Sequence, residues 1–276
     1  MTEAAPPPIV RRRAHAAPSV FQPQNLLREA RRQKGLAVVA MPQVCVLDPD
    51  GDLVRRLTQA GRAHRDPSWA CYHTDLHRTQ LGGREIGIVG CAVGAAFAVL
   101  VAEQLFASGC ELLISVTSAG QLAAKGAPPY FVLIEKALRD EGVSYHYLPP
   151  GDFSAAPLHL LQALEGAFDG LTQTVHLGAV WTTDAPFRET ADDIDAMVAR
   201  GLVAVEMEAA GLYAMAQARG RDVVCFAHVT NQMGQAGDFE KGEADGVTDS
   251  LAVIQATIAR VQALGAGRVD ARAQQR

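Results

Sequence analysis

The chain has 276 residues, of which 49% are hydrophobic and 20% charged, with a formal net charge of −5 at pH 7. This is a globular composition with material for a large core, and the acidic balance argues against nucleic acid as the partner. Five cysteines without metal-type spacing read as reduced thiols of a cytoplasmic protein, and no run approaches the ~18 apolar residues of a membrane span.

In chain order, residues 1–20 hold prolines and an arginine triplet but no apolar stretch, and are expected to be a disordered arm. The body is expected to be one domain over 21–264, followed by a flexible tail over 265–276. "LAVVAMPQVCVLD" (36–48) reads as short strands, with a turn at 48–52. "REIGIVG" is a strand running into a glycine-bearing turn, and "AAFAVLVAEQLFASG" has helical periodicity up to Gly109. "ELLISVTSAG" is a second strand. "PYFVLIEKALRDEG" reads as mixed strand and helix, and "APLHLLQALEGAFD" as an amphipathic helix. "TVHLGAVWTTD" is a strand, "DDIDAMVARG" a short helix, "LVAVEME" a strand, "AAGLYAMAQARG" a helix and "DVVCFAHVTN" a strand. The last element, "VTDSLAVIQATIARVQAL", is a long amphipathic helix. Strands alternating with helices predict an α/β domain around a mostly buried sheet.

In such sheets ligands sit beyond the carboxyl ends of the strands. Those ends read Gly90-Cys91, Thr117-Ser118-Ala119-Gly120, Thr182-Thr183-Asp184, Glu206-Met207-Glu208 and Thr230-Asn231, a rim of small, hydroxyl-bearing and acidic groups. Glu206 and Glu208 point together only if the strand persists through Met207; a carboxylate there suits the two hydroxyls of a vicinal diol. The competing reading has both glutamates capping the following helix, whose positive end favours acids. Thr117 and Ser118 offer hydroxyls for an anion nest or form an ordinary strand-end turn, and Phe187 at a strand end is either a core residue or a ring that stacks on a base. His73, His77, His146, His176 and His228 have no paired spacing, so no metal is expected.

The segments "GIVGCAVGAAFAVLVAEQLFASGCELLISVTSAGQL", "VWTTDAPFRE", "GLVAVEMEAAGLYAMAQARG" and "VVCFAHVTN", in this order, resemble the purine/uridine nucleoside phosphorylase family, which includes related nucleosidases. The resemblance implies a single-domain phosphorylase-type α/β fold, with a mixed, partly barrel-like sheet flanked by helices. It implies a homo-oligomer that cleaves a ribonucleoside with phosphate, giving free base and ribose 1-phosphate, without an organic cofactor. By the same resemblance Glu208 binds the ribose hydroxyls, Met207 packs on the sugar and Glu206 frames the pocket. Asn231 and Phe187 then face the base, with Asn231 and Glu208 as the catalytic pair. Two family arginines for phosphate are replaced, by Gly51 in Leu47-Asp48-Pro49-Asp50-Gly51 and by Ser115. Thr117, Ser118 and Arg188 are therefore expected to hold phosphate. Those replacements keep two alternatives open, a nucleosidase using water and a nucleoside-binding homologue without catalysis.

Overall fold

The computed structural model describes residues 7–11, 14–232 and 240–273, excepting the side chains of 264–273. In chain order the elements are α1 (Pro23–Lys34), β1 (Val44–Asp48), α2 (Asp52–Gln59), β2 (Ala63–Arg65), β3 (His77–Leu81), β4 (Arg84–Gly90) and α3 (Ala95–Ala107). Then follow β5 (Leu112–Gln121), β6 (Tyr130–Asp140), α4 (Ser144–Tyr147), β7 (Phe153–Ala155), α5 (Leu158–Ala163) and β8 (Val175–Thr183). The last are α6 (Ala191–Ala199), β9 (Ala204–Glu206), α7 (Ala209–Arg219), β10 (Asp222–Gln232) and α8 (Val247–Ala273).

The strands form one mixed sheet in the order β10-β6-β8-β9-β5-β1-β4-β3-β2, and β10 pairs again with β5. That second pairing closes β5, β10, β6, β8 and β9 into a five-stranded, barrel-like ring, while β1, β4, β3 and β2 extend from β5. Closure depends on the length of β5: its first half pairs with β1, and its end, at Gly120 and Gln121, pairs with β9. β10 runs parallel to β5 along nearly its whole length. The ring has no free edge of its own.

Because neighbouring residues of a strand face opposite sides, β5 feeds two cores. Leu113 and Ala119 pack with α3 and α7, through residues such as Val99, Leu105, Leu212 and Met215. Ile114 and Val116 pack on the other face with Leu53 and Leu57 of α2 and Val253 and Ile254 of α8. The sheet is therefore covered on both faces, which explains why its central strands read as continuous apolar runs.

Several elements differ from expectation. Residues 130–140 are strand throughout: β10 pairs with Tyr130–Leu133, while "EKALRD" lies between β8 and β7, and this ladder outweighs its helical propensity. Residues 36–42 pair with nothing, and β1 begins only past Pro42, which has no N–H to give a ladder. Helix α5 is six residues long, short of the predicted run, and ends before Gly166, whose φ is +66°. Within the expected N-terminal arm, Pro8–Val10 form a 3-10 turn, and His15 Nε2 lies 3.2 Å from the Tyr145 carbonyl oxygen. Residues 1–6, 12 and 13 of that arm lie outside the described residues. Of the expected tail, 265–273 continue the backbone of α8, and 274–276 lie outside. Among the described residues no helix is long and apolar enough to cross a membrane.

Candidate active site

Strand β9 stops at Glu206, and Glu208 is already the N-cap residue of α7, with φ −125° and ψ −39°. The strand does not persist through Met207, so the two glutamates part company. Glu206 turns back over the helix start: its Oε2 accepts hydrogen bonds from Glu208 N at 2.7 Å and Ala209 N at 2.8 Å, and its other oxygen accepts one from the Thr182 hydroxyl. The capping alternative therefore holds for Glu206. Thr182 Oγ1 in turn accepts from Ala210 N at 3.0 Å, so β8, β9 and α7 are tied at one buried point.

Glu208 does not cap its own helix. Its Oε1 accepts a hydrogen bond from Gly94 N at 2.7 Å, at the start of α3, while Oε2 is buried without a partner among the described residues. The residue is 1% exposed. A buried carboxylate oxygen with no donor is costly unless something supplies one. Burial first, and the neighbouring Glu206 charge second, push the Glu208 carboxyl up to about 8. The Thr117 side chain works in the opposite direction, although its own hydroxyl bond at 3.4 Å runs to the Ser118 carbonyl. Glu206 is raised to about 7, burial outweighing its three donors. Both carboxyls thus stand above the ordinary carboxylate range.

Gly94 owes its place to local backbone. Its φ of +86° is open to glycine and lets the chain leave the β4 turn with its N–H aimed at Glu208. On the other side, Gly211 of α7 sits against α3, where an added Cβ would meet Ala95 Cβ at 2.9 Å and Val143 Cγ1 at 2.7 Å. The two helix starts that carry Gly94 and Glu208 are thereby held close.

The remaining predicted residues are spread over the molecule. Met207 is half-buried beside Glu208 on the connection to α7. Thr117 shares the α3–α7 face of β5, as its alternation with Leu113 requires. Ser118 faces the α2–α8 side, opposite His228 in the β5–β10 register, so the two hydroxyls do not form one nest. Both the Ser118 N–H and hydroxyl are directed at Asp50 Oδ2, the former at 3.1 Å. Arg188 lines a separate cavity of about 410 Å³ with Asp140, Trp181 and Thr183. Phe187 is 99% exposed on the turn before α6. Asn231, half-buried near the end of β10, has its Oδ1 3.3 Å from the Thr230 hydroxyl, which donates to it.

Asp50, Gly94, Thr182 and His228 were given no role in the site. Thr182 stood in the strand-end rim, Asp50 in the turn that replaces a family arginine, and Gly94 as the last glycine of "GIVGCAVG" before a helix. His228 is stacked on Phe131 with ring centroids 4.4 Å apart, and burial lowers its pKa to about 4.

The profile of the phosphorylase superfamily matches residues 37–264. The chain belongs to that superfamily. A guanosine phosphorylase of Halorubrum lacusprofundi is 28% identical over 139 residues, 50% of this chain and 57% of that protein. A DeoD-type purine nucleoside phosphorylase of Colwellia psychrerythraea is 27% identical over 153 residues, 55% of this chain and 65% of its own length. The chain thus spans under two thirds of these two relatives. A uridine phosphorylase of Thermococcus kodakarensis is 28% identical over 220 residues, 69% of this chain and 79% of that protein. Among solved structures, a uridine phosphorylase from Vibrio fischeri superimposes with a TM-score of 0.66 at 20% identity, covering 81% of this chain and 93% of that one. The purine nucleoside phosphorylase of Toxoplasma gondii gives 0.67 at 19% identity, again covering 81% and 93%. These superpositions establish the phosphorylase-type fold.

Proposed function

We propose that the chain cleaves the N-glycosidic bond of a ribonucleoside and releases the free base. The observation that carries this reading is Glu208: a buried carboxylate at the strand-end rim with one oxygen bonded to Gly94 N and the other without a donor among the described residues. A ribose hydroxyl supplies the missing donor, and a second hydroxyl competes for the remaining lone pairs. Met207 covers the sugar, and the Asn231 amide hydrogen-bonds the base without acting as an acid. Glu206, whose oxygens are taken by Thr182 and the α7 amides, holds the helix start in place and does not reach substrate.

Two nucleophiles compete. The names of the relatives support phosphate, and phosphorolysis would yield ribose 1-phosphate. Asp50 on the donors of Ser118, and Arg188 in another cavity, support water as the second reading. In hydrolysis the water oxygen bonds to the anomeric carbon as the C–N bond breaks. The bonding pair leaves with the base, and the water's proton ends on the base nitrogen. Either way the sugar contact is the same.

The reading is tested by comparing a ribonucleoside with its 2′-deoxy counterpart. Loss of one hydrogen bond to a charged group predicts roughly 1.5–3 kcal/mol in kcat/KM, or about 10- to 150-fold in favour of the ribonucleoside. Equal rates for the two sugars would remove Glu208 from the ribose contact.

A further inference from the structure

We propose that Asp50 is a specificity-determining residue that fills the chain's own anion cradle and bars inorganic phosphate from it. The inference rests on the glycosidic reading for its meaning, but not for its test. Three donors converge on one oxygen of this carboxylate: the Ser118 N–H at 3.1 Å, the Ser118 hydroxyl, and Lys241 Nζ at 3.4 Å. An N–H, a hydroxyl and an ammonium on one point are what an exogenous anion requires. Here the ligand is supplied by the turn between β1 and α2.

The surroundings oppose replacement of that ligand by a dianion. Asp48 and Asp52 flank Asp50 on the same turn, and Asp52 already holds Lys241 at 2.7 Å. Arg55 and Arg56, the nearest guanidinium groups in sequence, are tied to Asp52 and Asp245. His228, 5% exposed, lines the cleft with Asp50 and Ser118; its Nε2 is buried without a partner among the described residues, and its low pKa keeps it uncharged at neutrality. The cleft measures about 20 Å³, space for one water molecule and too little for phosphate. Its lining extends to Thr117, and the Asp50 charge reaches Glu208. Exclusion of phosphate at this point therefore bears on the same rim that Glu208 serves.

The test reads phosphate binding without turnover. Thermal unfolding of the native chain, Asp50→Asn and Asp50→Ser is followed against inorganic phosphate, with sodium chloride matched for ionic strength. Native protein is expected to show no phosphate-specific rise in Tm. At least one variant should show a rise that disappears when Ser118→Ala is added. Half of the variant's shift should be reached at a phosphate concentration at least about tenfold below any that moves the native chain. A native chain that responds like the variants overturns the inference, as does absence of a response in both folded variants. Asp50→Asn keeps the side chain's shape should Asp50→Ser fail to fold. Failure to release base from any ribonucleoside would defeat the proposed function and leave this result standing.

Discussion

Glu206 and Glu208 are two residues apart and have opposite duties. One is saturated by Thr182 and two α7 amides, and the other keeps an oxygen in reserve. Their titration has a measurable consequence. For Glu208 the folded-state value of about 8 lies above the ordinary 4.5, so the folded chain binds the proton more tightly than the unfolded chain. The associated stability is complete below 4.5 and is lost as pH rises through about 8. Glu206 and Asp48, each raised to about 7 chiefly by burial, act in the same direction. Unfolding midpoints in urea should therefore decline from pH 5 to pH 8.5, and Glu208→Gln should flatten part of the decline. A variant whose midpoints fall as steeply as those of the native chain would contradict this assignment. The sequence placed both glutamates at the rim but left their roles open. Which one caps depends on where β9 ends, and that is set by β9's pairing with β8 and β5, a long-range contact.

At the level of elements, the glycine-bearing turn, α3, β5, β8, α7 and β10 were legible because apolar periodicity and glycine stops coincide there. Residues 130–140 were not, since "EKALRD" favours helix locally and only its pairing with β8 and β7 makes it strand. Ser118 was grouped with Thr117 because adjacent hydroxyls look alike in sequence, whereas β alternation sends them to different faces. The α3–α7 contact was hidden too: nothing local marks Gly211 as the residue touching Ala95. Gly211→Ala forces its Cβ against Ala95 and Val143, and overpacking of this kind costs about 1–3 kcal/mol. The better helix propensity of alanine offsets up to about 1 kcal/mol of that. We expect Tm to fall by roughly 2–6 °C. An unchanged Tm by calorimetry would show that the two helix starts have slack.

Across the whole molecule, ring closure is what makes a site from scattered segments. Because β10 pairs with both β5 and β6, the ends of β5, β8, β9 and β10 meet the turn after β4, and Gly94 reaches Glu208 across 114 residues of sequence. The α/β class followed from alternation, and the barrel-like ring from the family resemblance. The cradle filled by Asp50 followed from neither, since it depends on a turn and a strand 68 residues apart. The proposed cleavage of ribonucleosides at this rim runs through a sugar contact made by Glu208. It is tested most directly by measuring free base released from a panel of purine and pyrimidine ribonucleosides, with and without phosphate, by native protein and by Glu208→Gln. We expect release by the native chain from at least one ribonucleoside, and a kcat/KM lower by about 10- to 150-fold in the folded variant. No release from any ribonucleoside under either condition, or equal rates for the two proteins, would contradict it.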